Sequence, residues 1–242
     1  MWVTGRHPVE EVLSSERQKA RRILLSEAVP PPVSRALIER SARAGITCQV
    51  CSKEEWERRT GEKGGPGIAA EMPDFRYDDL KGWLAGLPDR ATAFLLDGIT
   101  DPQNLGAILR NARAFGVAGV IVPKDRSCPV TGAVFRASAG AAAHVPIVQV
   151  TNLARAVEDL QEAGFWVYAA ERAGENDISS METAKRMGVV LGSEEKGIRK
   201  LVREKCDGSV RIAMEPGIDS LNVGMAAGIL AFFLRKSLTT SR

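Results

Sequence analysis

One stretch of the chain, residues 92–116, reads TAFLLDGITDPQNLGAILRNARAFG. It opens with an apolar run suited to a buried strand and continues, after a polar turn, with apolar residues that recur on one helical face. Asp101 is a typical N-cap, Pro102 suits the first position of a helix, and Gly116 is suited to ending one. The stretch therefore predicts a strand followed by a helix at 102–115.

Strand and helix patterns alternate from residue 89 onward. Strands are predicted at 92–96, 117–122, 145–150, 165–170, 188–191 and 210–214, and further helices at 130–141, 152–163, 197–206 and 220–236. Such alternation is typical of an α/β domain with a parallel sheet. Ligands in these domains bind beyond the carboxyl ends of the strands. We therefore expect the site in the turns after Leu96, Leu191 and Met214.

Residues 1–72 have the pattern of a smaller α/β unit. Helices are predicted at 7–13 and 31–44, and strands at 20–25, 46–51 and 68–71, with a glycine-rich loop at 61–67. The stretch 73–88 is rich in prolines, glycines and charges, and 80–87 within it has the pattern of a short helix. We predict a small domain at 1–72, a linker at 73–88 and a larger α/β domain at 89–242.

The composition is that of an ordinary globular protein, with 44% hydrophobic and 26% charged residues among 242. The formal net charge of +3 is compatible with an RNA partner but is too small to indicate one. The N-terminal residues lack the apolar run of a signal peptide, and the longest apolar stretch, 221–234, is shorter than the roughly 20 residues that span a bilayer. We expect a cytoplasmic protein with no membrane partner.

Two of the four cysteines, Cys48 and Cys51, form a C-x-x-C motif. A structural zinc site needs two further ligands at a matching spacing, and the sequence has no second cysteine pair. The residues around the motif predict a strand rather than the helix N-terminus of a redox motif, and residues three apart in a strand point to opposite faces. We interpret both as ordinary reduced thiols.

Three segments place polar residues at the expected ligand-binding edge. Asn104 lies in the first turn of the helix at 102–115, and Arg110 faces away from its apolar side. Glu194 lies in a glycine-containing turn after a strand. Asn222 lies in the first turn of an apolar helix, where a buried amide needs hydrogen-bond partners. Each segment alone also fits a simpler interpretation, namely a solvated arginine, a turn with solvated charges, and an amide satisfied by backbone.

Together, in this order, the three segments resemble the sequence motifs of the SpoU (TrmH) family of RNA ribose 2′-O-methyltransferases. The matching stretches are 101–110 (DPQNLGAILR), 191–194 (LGSE) and 220–223 (SLNV). The resemblance covers residues 95–235. Two N-terminal stretches, GRHPV at 5–9 and GIAA at 67–70, resemble the small RNA-binding domain of the subgroup that modifies large-subunit ribosomal RNA.

The resemblance implies a fold, a cofactor and a set of site residues. Members of this family fold a C-terminal parallel α/β domain of the SPOUT type through a trefoil knot, form homodimers through it, and use S-adenosylmethionine without a metal. Carried over by motif position, the reaction site consists of Asn104, Arg110, Glu194, Ser220 and Asn222. The residues implied to bind the cofactor, largely through backbone, are Gly192, Ile212, Met214, Leu221 and Val223.

Three positions depart from the family's pattern. Gly224 stands where a serine is usual, and Ala213 stands where a proline is usual. Pro66 precedes Gly67 where a His-Gln pair is common. The first two bear on the geometry of the reaction site, and the third bears on the RNA contacts of the small domain.

The implied reaction is a direct displacement, in which a ribose 2′-oxygen attacks the methyl group of the sulfonium, the bond from that methyl group to sulfur breaks, and neutral S-adenosylhomocysteine leaves. The 2′-hydroxyl loses its proton in the process. The family mechanism makes the arginine at position 110 the proton acceptor. Because a guanidinium rarely deprotonates, we favour Arg110 as the group that holds a phosphate and stabilises a developing alkoxide. The subgroup resemblance favours 23S rRNA as the partner, with guanosine as the methylated nucleoside, and it does not favour DNA.

Three alternatives differ from this interpretation. The first is a tRNA 2′-O-methyltransferase of the same family, and the second is an RNA-binding homologue without catalysis. The third is an α/β enzyme acting on a small molecule. The sequence has neither a phosphate loop nor a G-x-G-x-x-G after any predicted strand, which disfavours a nucleotide-binding enzyme of the common kinds.

Overall fold

The computed structural model describes residues 1–217 and 220–239, the last four of them as helical backbone only. The chain forms two compact units. The first comprises Met1–Arg76 and Val130–His144, and the second comprises Tyr77–Pro129 and the described residues from Val145 onward. Residues 218 and 219, which precede the third motif, lie outside the described residues. The predicted domain borders at 72 and 89 stay predictions.

The first unit contains a four-stranded sheet. Its strands, numbered along the chain, are β1 (Trp2–Thr4), β2 (Arg22–Ser26), β3 (Thr47–Cys51) and β4 (Ile68–Glu71), in the order β1-β4-β2-β3. β2 and β3 are parallel, and β4 runs antiparallel to β1 and β2. The predictions of β2, β3 and β4 are confirmed within two residues. β1 was not predicted, because three residues give too short a pattern.

Three helices accompany this sheet, α1 (Arg6–Leu13), α2 (Pro31–Arg43) and α3 (Lys53–Thr60). The first two were predicted and α3 was not, because Trp56 is its one buried residue and it has no apolar stripe. Its signal is a capping pattern. The Ser52 hydroxyl accepts from the Glu55 backbone N–H at 3.2 Å, and Gly61 ends the helix with φ 73°.

Cys48 and Cys51 lie on β3, so the predicted strand is confirmed. Cys51 is buried and its thiol donates to the Leu25 carbonyl at 3.6 Å, while Cys48 is half-buried. Both are free thiols, and burial raises the pKa of each. Within residues 1–217 and 220–239, no three His, Cys, Asp or Glu side chains are grouped as a metal site requires.

The segment 130–144 packs with the first unit, although it follows the first motif in the chain. A Cβ on Gly132 would lie 2.0 Å from the Trp2 carbonyl oxygen, so only glycine fits there. The Ser15 hydroxyl donates to the Ala143 carbonyl at 2.6 Å, and the His144 imidazole lies 2.8 Å from the Glu11 carboxylate.

The helix predicted at 130–141 is wrong in length. The structure has a short helix α6 (Gly132–Ala137) and a 3₁₀ turn at Ala141–Ala143. Between them Ala139 and Gly140 adopt positive φ values of 49° and 87°, which a continuous right-handed helix excludes.

The second unit is built on a seven-stranded parallel sheet. Its strands are β5 (Ala91–Asp97), β6 (Gly119–Pro123), β7 (Ile147–Val150), β8 (Trp166–Ala170), β9 (Asn176–Asp177), β10 (Arg186–Gly192) and β11 (Gly208–Arg211). Their order is β7-β6-β5-β10-β8-β11-β9, and every pair is parallel. The predicted α/β fold with a parallel sheet is therefore confirmed. The two-residue β9 was not predicted.

The helices of this unit are α4 (Leu80–Ala85), α5 (Pro102–Phe115), α7 (Leu153–Glu162), α8 (Lys200–Lys205) and α9 (Val223–Thr239). The prediction of α5 is confirmed at both ends. α8 begins three residues later than predicted, because Gly197 has φ 62° and the Arg199 N–H bonds a carboxylate outside the helix. α9 begins at Val223 rather than at Ser220.

Apolar side chains fill the space around the sheet, with Leu95, Ile121 and Val190 fully buried at its centre. β5 and β6, near the middle of the sheet, are buried along their whole length, as expected where helices cover both faces of a parallel sheet. No described helix combines the length and the apolarity that a membrane crossing requires.

Candidate active site

The first two motifs meet because they follow neighbouring strands. β5 and β10 pair in parallel, with Leu96 opposite Leu191 and Asp97 opposite Gly192. The turn after each strand therefore leaves the sheet at the same edge. The Asp101 carboxylate caps α5 by accepting from the backbone N–H groups of Gln103 and Asn104, at 3.1 and 3.3 Å. This cap fixes Asn104 in the first turn of α5, at that edge.

One amide joins all three motifs. The Nδ2 of Asn222 donates to Oδ1 of Asn104 and to Oε1 of Glu194, each at 2.8 Å. Glu194 Oε1 also lies 3.4 Å from the Val223 backbone N–H. We call Asn104, Glu194 and Asn222 the amide–carboxylate cluster. It connects the ends of two strands to the start of α9, which the sequence spacing alone did not require.

Asn222 differs from its predicted position. It precedes α9 instead of lying in its first turn, and its side chain is exposed rather than buried. Its Oδ1 accepts from the N–H groups of Gly224 at 2.9 Å and Met225 at 3.4 Å. The amide thus serves as an N-cap through its oxygen and as a link between motifs through its nitrogen.

Gly224, a departure from the family's pattern, lies where α5 and α9 approach closely. A Cβ at this position would lie 2.6 Å from Cβ of Ala107 and 3.1 Å from the Asn222 oxygen. The Asn111 side chain donates to the Gly224 carbonyl at 2.9 Å. A serine here would push the two helices apart, so the glycine fits this particular pairing of α5 and α9.

Arg110 and Ser220 lie near these groups in sequence but outside the cluster's hydrogen bonds. Arg110 is exposed on α5, on the side away from the buried Leu105, Ile108 and Leu109, as predicted. Its guanidinium forms no hydrogen bond or ion pair with any residue that the structure describes. Ser220 is also exposed. Both side chains are available to a substrate, and their assigned roles stay predictions.

A cavity of about 310 Å³ opens beside the cluster, at the carboxyl ends of β8, β10 and β11. We call it the β10 cavity. All five residues implied to bind the cofactor line it, namely Gly192, Ile212, Met214, Leu221 and Val223. Glu194 and Ser220 line it as well. The structure therefore brings the predicted cofactor residues together with Glu194 and Ser220 of the predicted reaction site, and the roles of all of them stay predictions.

An ion pair between a buried carboxylate and a half-exposed guanidinium holds the loop that carries Glu194. Asp97, the last residue of β5, is 1% exposed, and its carboxylate accepts from the Arg199 backbone N–H and from its Nε, both at 2.7 Å. Sequence analysis missed this pair. Its signal is an acid that ends an otherwise apolar strand, since a buried carboxylate requires a partner. The pair closes the loop 193–199 against the end of the sheet.

Comparison with known proteins identifies the family of this fold and site. Residues 91–232 match the SpoU rRNA Methylase family. The chain belongs to the SpoU family. Residues 2–78 match a domain described as RNA 2′-O ribose methyltransferase substrate binding. The predicted family, and with it the predicted class of RNA 2′-O-methyltransferase that uses S-adenosylmethionine, is confirmed.

Similar proteins span nearly the whole SpoU-family chain. It is 37% identical, over 96% of its length and 94% of the relative's, to the 23S rRNA (guanosine-2′-O-)-methyltransferase RlmB of Xanthomonas campestris. The AdoMet complex of AviRb from Streptomyces viridochromogenes superposes with a TM-score of 0.81 at 22% identity, covering 100% of this chain and 91% of that one. The AdoMet-bound rRNA methyltransferase of Sinorhizobium meliloti gives a TM-score of 0.78 at 22% identity, covering 99% and 88%. The last two likenesses show a shared fold.

Proposed function

We propose that this SpoU-family protein transfers a methyl group from S-adenosylmethionine to the 2′-hydroxyl of a guanosine in 23S rRNA. The observation that carries the proposal is the junction of the amide–carboxylate cluster with the β10 cavity, because Glu194 belongs to both. The Xanthomonas campestris relative, which is similar along nearly the whole chain, is named for this reaction.

The β10 cavity fits the cofactor by size and chemistry. Ligand pockets typically measure about 300–1,000 Å³ and combine apolar walls with a few polar groups. Leu191, Ile198 and Leu230 supply apolar wall in a cavity of about 310 Å³. Gly192 lines the cavity where a Cβ would lie 2.3 Å from the Gly197 carbonyl carbon, so the glycine lets the loop 193–199 pack against the end of β10. Ile212 lines it just beyond the end of β11. These residues would hold S-adenosylmethionine, which supplies an electrophilic methyl group when bound.

The cluster orients the reacting end of the site. Asn222 holds the Glu194 carboxylate and the Asn104 amide in fixed positions, so both meet a substrate already aligned. Arg110, exposed and without a partner among the described residues, binds the phosphate beside the reacting ribose and stabilises negative charge on its 2′-oxygen.

The first unit supports RNA as the substrate. Its two motif stretches, GRHPV and GIAA, are adjacent, because the Gly5 N–H donates to the Ile68 carbonyl at 2.9 Å. His7 is largely exposed there, with 82% of its side chain accessible. The domain match over residues 2–78 names substrate binding as the role of such a domain. We assign the recognition of ribosomal RNA to this surface.

We further propose a homodimer formed through α9. Met225 and Phe232, two helical turns apart and so on one face, are 60% and 54% exposed. Exposed apolar stripes of this kind are typical of interfaces. Light scattering at micromolar concentration is expected to give twice the mass of the chain, and a monomer would contradict the proposal. A trefoil-knotted second unit and a cytoplasmic location complete the proposal and rest on the family alone.

The test is methylation of an unmodified 23S rRNA transcript with tritiated S-adenosylmethionine. Ribose methylation blocks alkaline cleavage, so we expect the label in an alkali-stable dinucleotide that begins with methylated guanosine. An unmodified tRNA mixture serves as the second substrate. Label in the mononucleotides that alkali releases, which would indicate a methyl group elsewhere than on the 2′-oxygen, would contradict the proposal. Label in tRNA alone would contradict it as well. Cofactor binding without transfer to either RNA would instead support an RNA-binding homologue.

A further inference from the structure

A second cavity lies at the same edge of the seven-stranded sheet. It has a volume of about 640 Å³ and is bounded by the loop after β6, the start of α7 and the start of α8. We call it the β6–β7 cavity. Nothing in the proposed reaction uses it. The loop 193–199 separates it from the β10 cavity, since Ile198 lines the β10 cavity and Arg199 lines the β6–β7 cavity.

The loop after β6 presents Arg126 to this cavity in a strained conformation. Arg126 has φ 58°, one of two positive values among the described residues that are not glycine. Backbone hydrogen bonds hold the loop on both sides of Arg126. The Lys124 N–H donates to the Val150 carbonyl and the Cys128 N–H donates to the Ile99 carbonyl, each at 2.8 Å. Strain of this kind persists where the surrounding structure enforces it, and it is common at binding sites. The Arg126 side chain is exposed and has no ion pair with the described residues.

Arg199 contributes a second guanidinium whose position is fixed. Its Nε and backbone N–H bond the buried Asp97, as described above. Neither terminal nitrogen of this guanidinium has a partner among residues 1–217 and 220–239. A guanidinium held at Nε, with both terminal nitrogens open, is suited to a phosphate because two parallel donors match two of its oxygens.

The remaining lining includes the exposed Asp125 carboxylate beside apolar and polar groups. A carboxylate repels a phosphate but accepts from the amino group of a base, so this part of the cavity fits a nucleobase rather than a phosphate. Leu153 forms apolar wall, and Leu201 is 58% exposed at the rim although it is a large apolar side chain. Thr151 and Asn152 add polar groups to the lining. The side-chain oxygen of Asn152 caps α7 by accepting from the Arg155 N–H at 3.2 Å. The side-chain nitrogen of Asn152 is therefore the group that can donate to a ligand. Single-stranded RNA is recognised in this manner, with bases turned out of the stack and held in pockets.

We propose that the β6–β7 cavity binds a nucleotide of the substrate RNA adjacent to the methylated one, with its phosphate on Arg126 and Arg199 and its base against Leu153 and Leu201. The inference rests on the proposed function, since it takes the methylated ribose to lie at the amide–carboxylate cluster. The site explains why an arginine is kept in a conformation that favours glycine. It also gives the enzyme a means of selecting the sequence beside its target.

The variant Arg126→Gly tests the proposal without weakening the fold. Glycine adopts φ 58° without strain, so the loop keeps its shape while the guanidinium is removed. The control is Lys185→Ala, which removes one positive charge just before β10, at the opposite edge of the sheet. Arg126→Lys keeps the charge and loses the planar fork.

Steady-state methylation of the unmodified 23S rRNA transcript is measured for all three variants, together with filter binding of the same transcript at several salt concentrations. For Arg126→Gly we expect the KM for RNA to rise about tenfold, with kcat and the Kd for S-adenosylmethionine unchanged. The slope of log affinity against log salt becomes shallower by about 0.7–0.9, the loss of one phosphate contact. For Arg126→Lys we expect the salt slope of the unaltered protein. For Lys185→Ala we expect the KM for RNA, the kcat and the salt slope of the unaltered protein.

An unchanged KM and salt slope in Arg126→Gly would overturn the inference, as would an equal effect of Lys185→Ala. Competition by free guanosine 5′-monophosphate at micromolar concentration, lost in Arg126→Gly, would instead make the cavity a site for a free nucleotide and also overturn it. If the unaltered protein binds the transcript without methylating it, the proposed function fails. The salt slopes from filter binding then still decide whether Arg126 contacts RNA.

Discussion

Two substitutions of Asn222 separate its structural role from the role in catalysis that we propose for it. Its oxygen caps α9, and its nitrogen holds Asn104 and Glu194, at 2.8 Å each. Asn222→Ala removes both functions. Asn222→Asp keeps an oxygen for the cap but places a second oxygen where the donor stood, against the Glu194 carboxylate. The first variant is expected to lose stability and activity, and the second to lose activity alone.

The magnitudes follow from these contacts. Removing an N-cap asparagine costs about 1 kcal/mol of unfolding free energy, which corresponds to roughly 2–4 °C in Tm for a chain of this size. In Asn222→Asp, the favourable charge at the helix N-terminus, about 0.3–1 kcal/mol, offsets a repulsion from exposed Glu194 of about 1 kcal/mol. Its Tm therefore stays within about 2 °C of the unaltered chain. Both variants lose the hydrogen bonds that hold the Asn104 and Glu194 side chains. If these side chains move by about 1 Å, the rate of methyl transfer should fall about 100-fold.

Thermal unfolding and single-turnover methylation of the 23S rRNA transcript, in one buffer, check this prediction. The control is Asp79→Ala, which removes the cap of α4, where the Asp79 carboxylate accepts from the Gly82 N–H at 2.8 Å. That variant should lose about as much Tm as Asn222→Ala while it keeps its rate. If Asn222→Asp retains more than about a tenth of the unaltered rate, the amide nitrogen does not align the site and the reasoning is refuted.

Three further predictions concern Arg110 and the cysteines. Arg110→Ala should slow methyl transfer by about 100- to 1,000-fold while the Kd for S-adenosylmethionine, measured by calorimetry, stays unchanged; substantial activity in Arg110→Lys with a shifted pH optimum would favour a proton-accepting role instead. The double change Cys48→Ser and Cys51→Ser should leave methylation intact, and a zinc-sensitive dye should detect no release of metal on unfolding. Burial, followed by the nearby Asp207 charge, raises the pKa of Cys206 to about 12, so its thiol stays protonated at pH 8 and should react with iodoacetamide far more slowly in the folded protein than after denaturation.

The parts of the fold that sequence analysis predicted well have local signals that agree with their packing. In α5, the Asp101 cap, Pro102, the apolar stripe and Gly116 all indicate the same helix, and the structure has it at Pro102–Phe115. The apolar strands likewise indicate a sheet covered on both faces. In α3 the capping signal is present but the apolar stripe is absent, so a method weighted toward apolar periodicity misses it.

The candidate site likewise has a part that the sequence predicts and a part that it does not. Its location at the carboxyl ends of β5 and β10 follows from the parallel sheet, and the family resemblance supplies the names of its residues. The bond from Asn222 to Glu194 does not follow from either, because it depends on how closely α9 approaches α5 at Gly224. The Asp97–Arg199 pair joins residues 102 positions apart and has no local pattern beyond a lone acid at a strand end.

The packing of the segment 130–144 with the first unit has a consequence for how the protein is made. During translation, β1 to β4 are complete before this segment exists, because the 53 residues Tyr77–Pro129 are synthesised in between. At roughly 5–20 residues per second, the interval lasts on the order of several seconds. Throughout this interval the Ser15 hydroxyl lacks the Ala143 carbonyl to which it donates, and the Glu11 carboxylate lacks the His144 imidazole. The first unit therefore lacks 15 of its 91 residues, Val130–His144, until synthesis has passed the first motif.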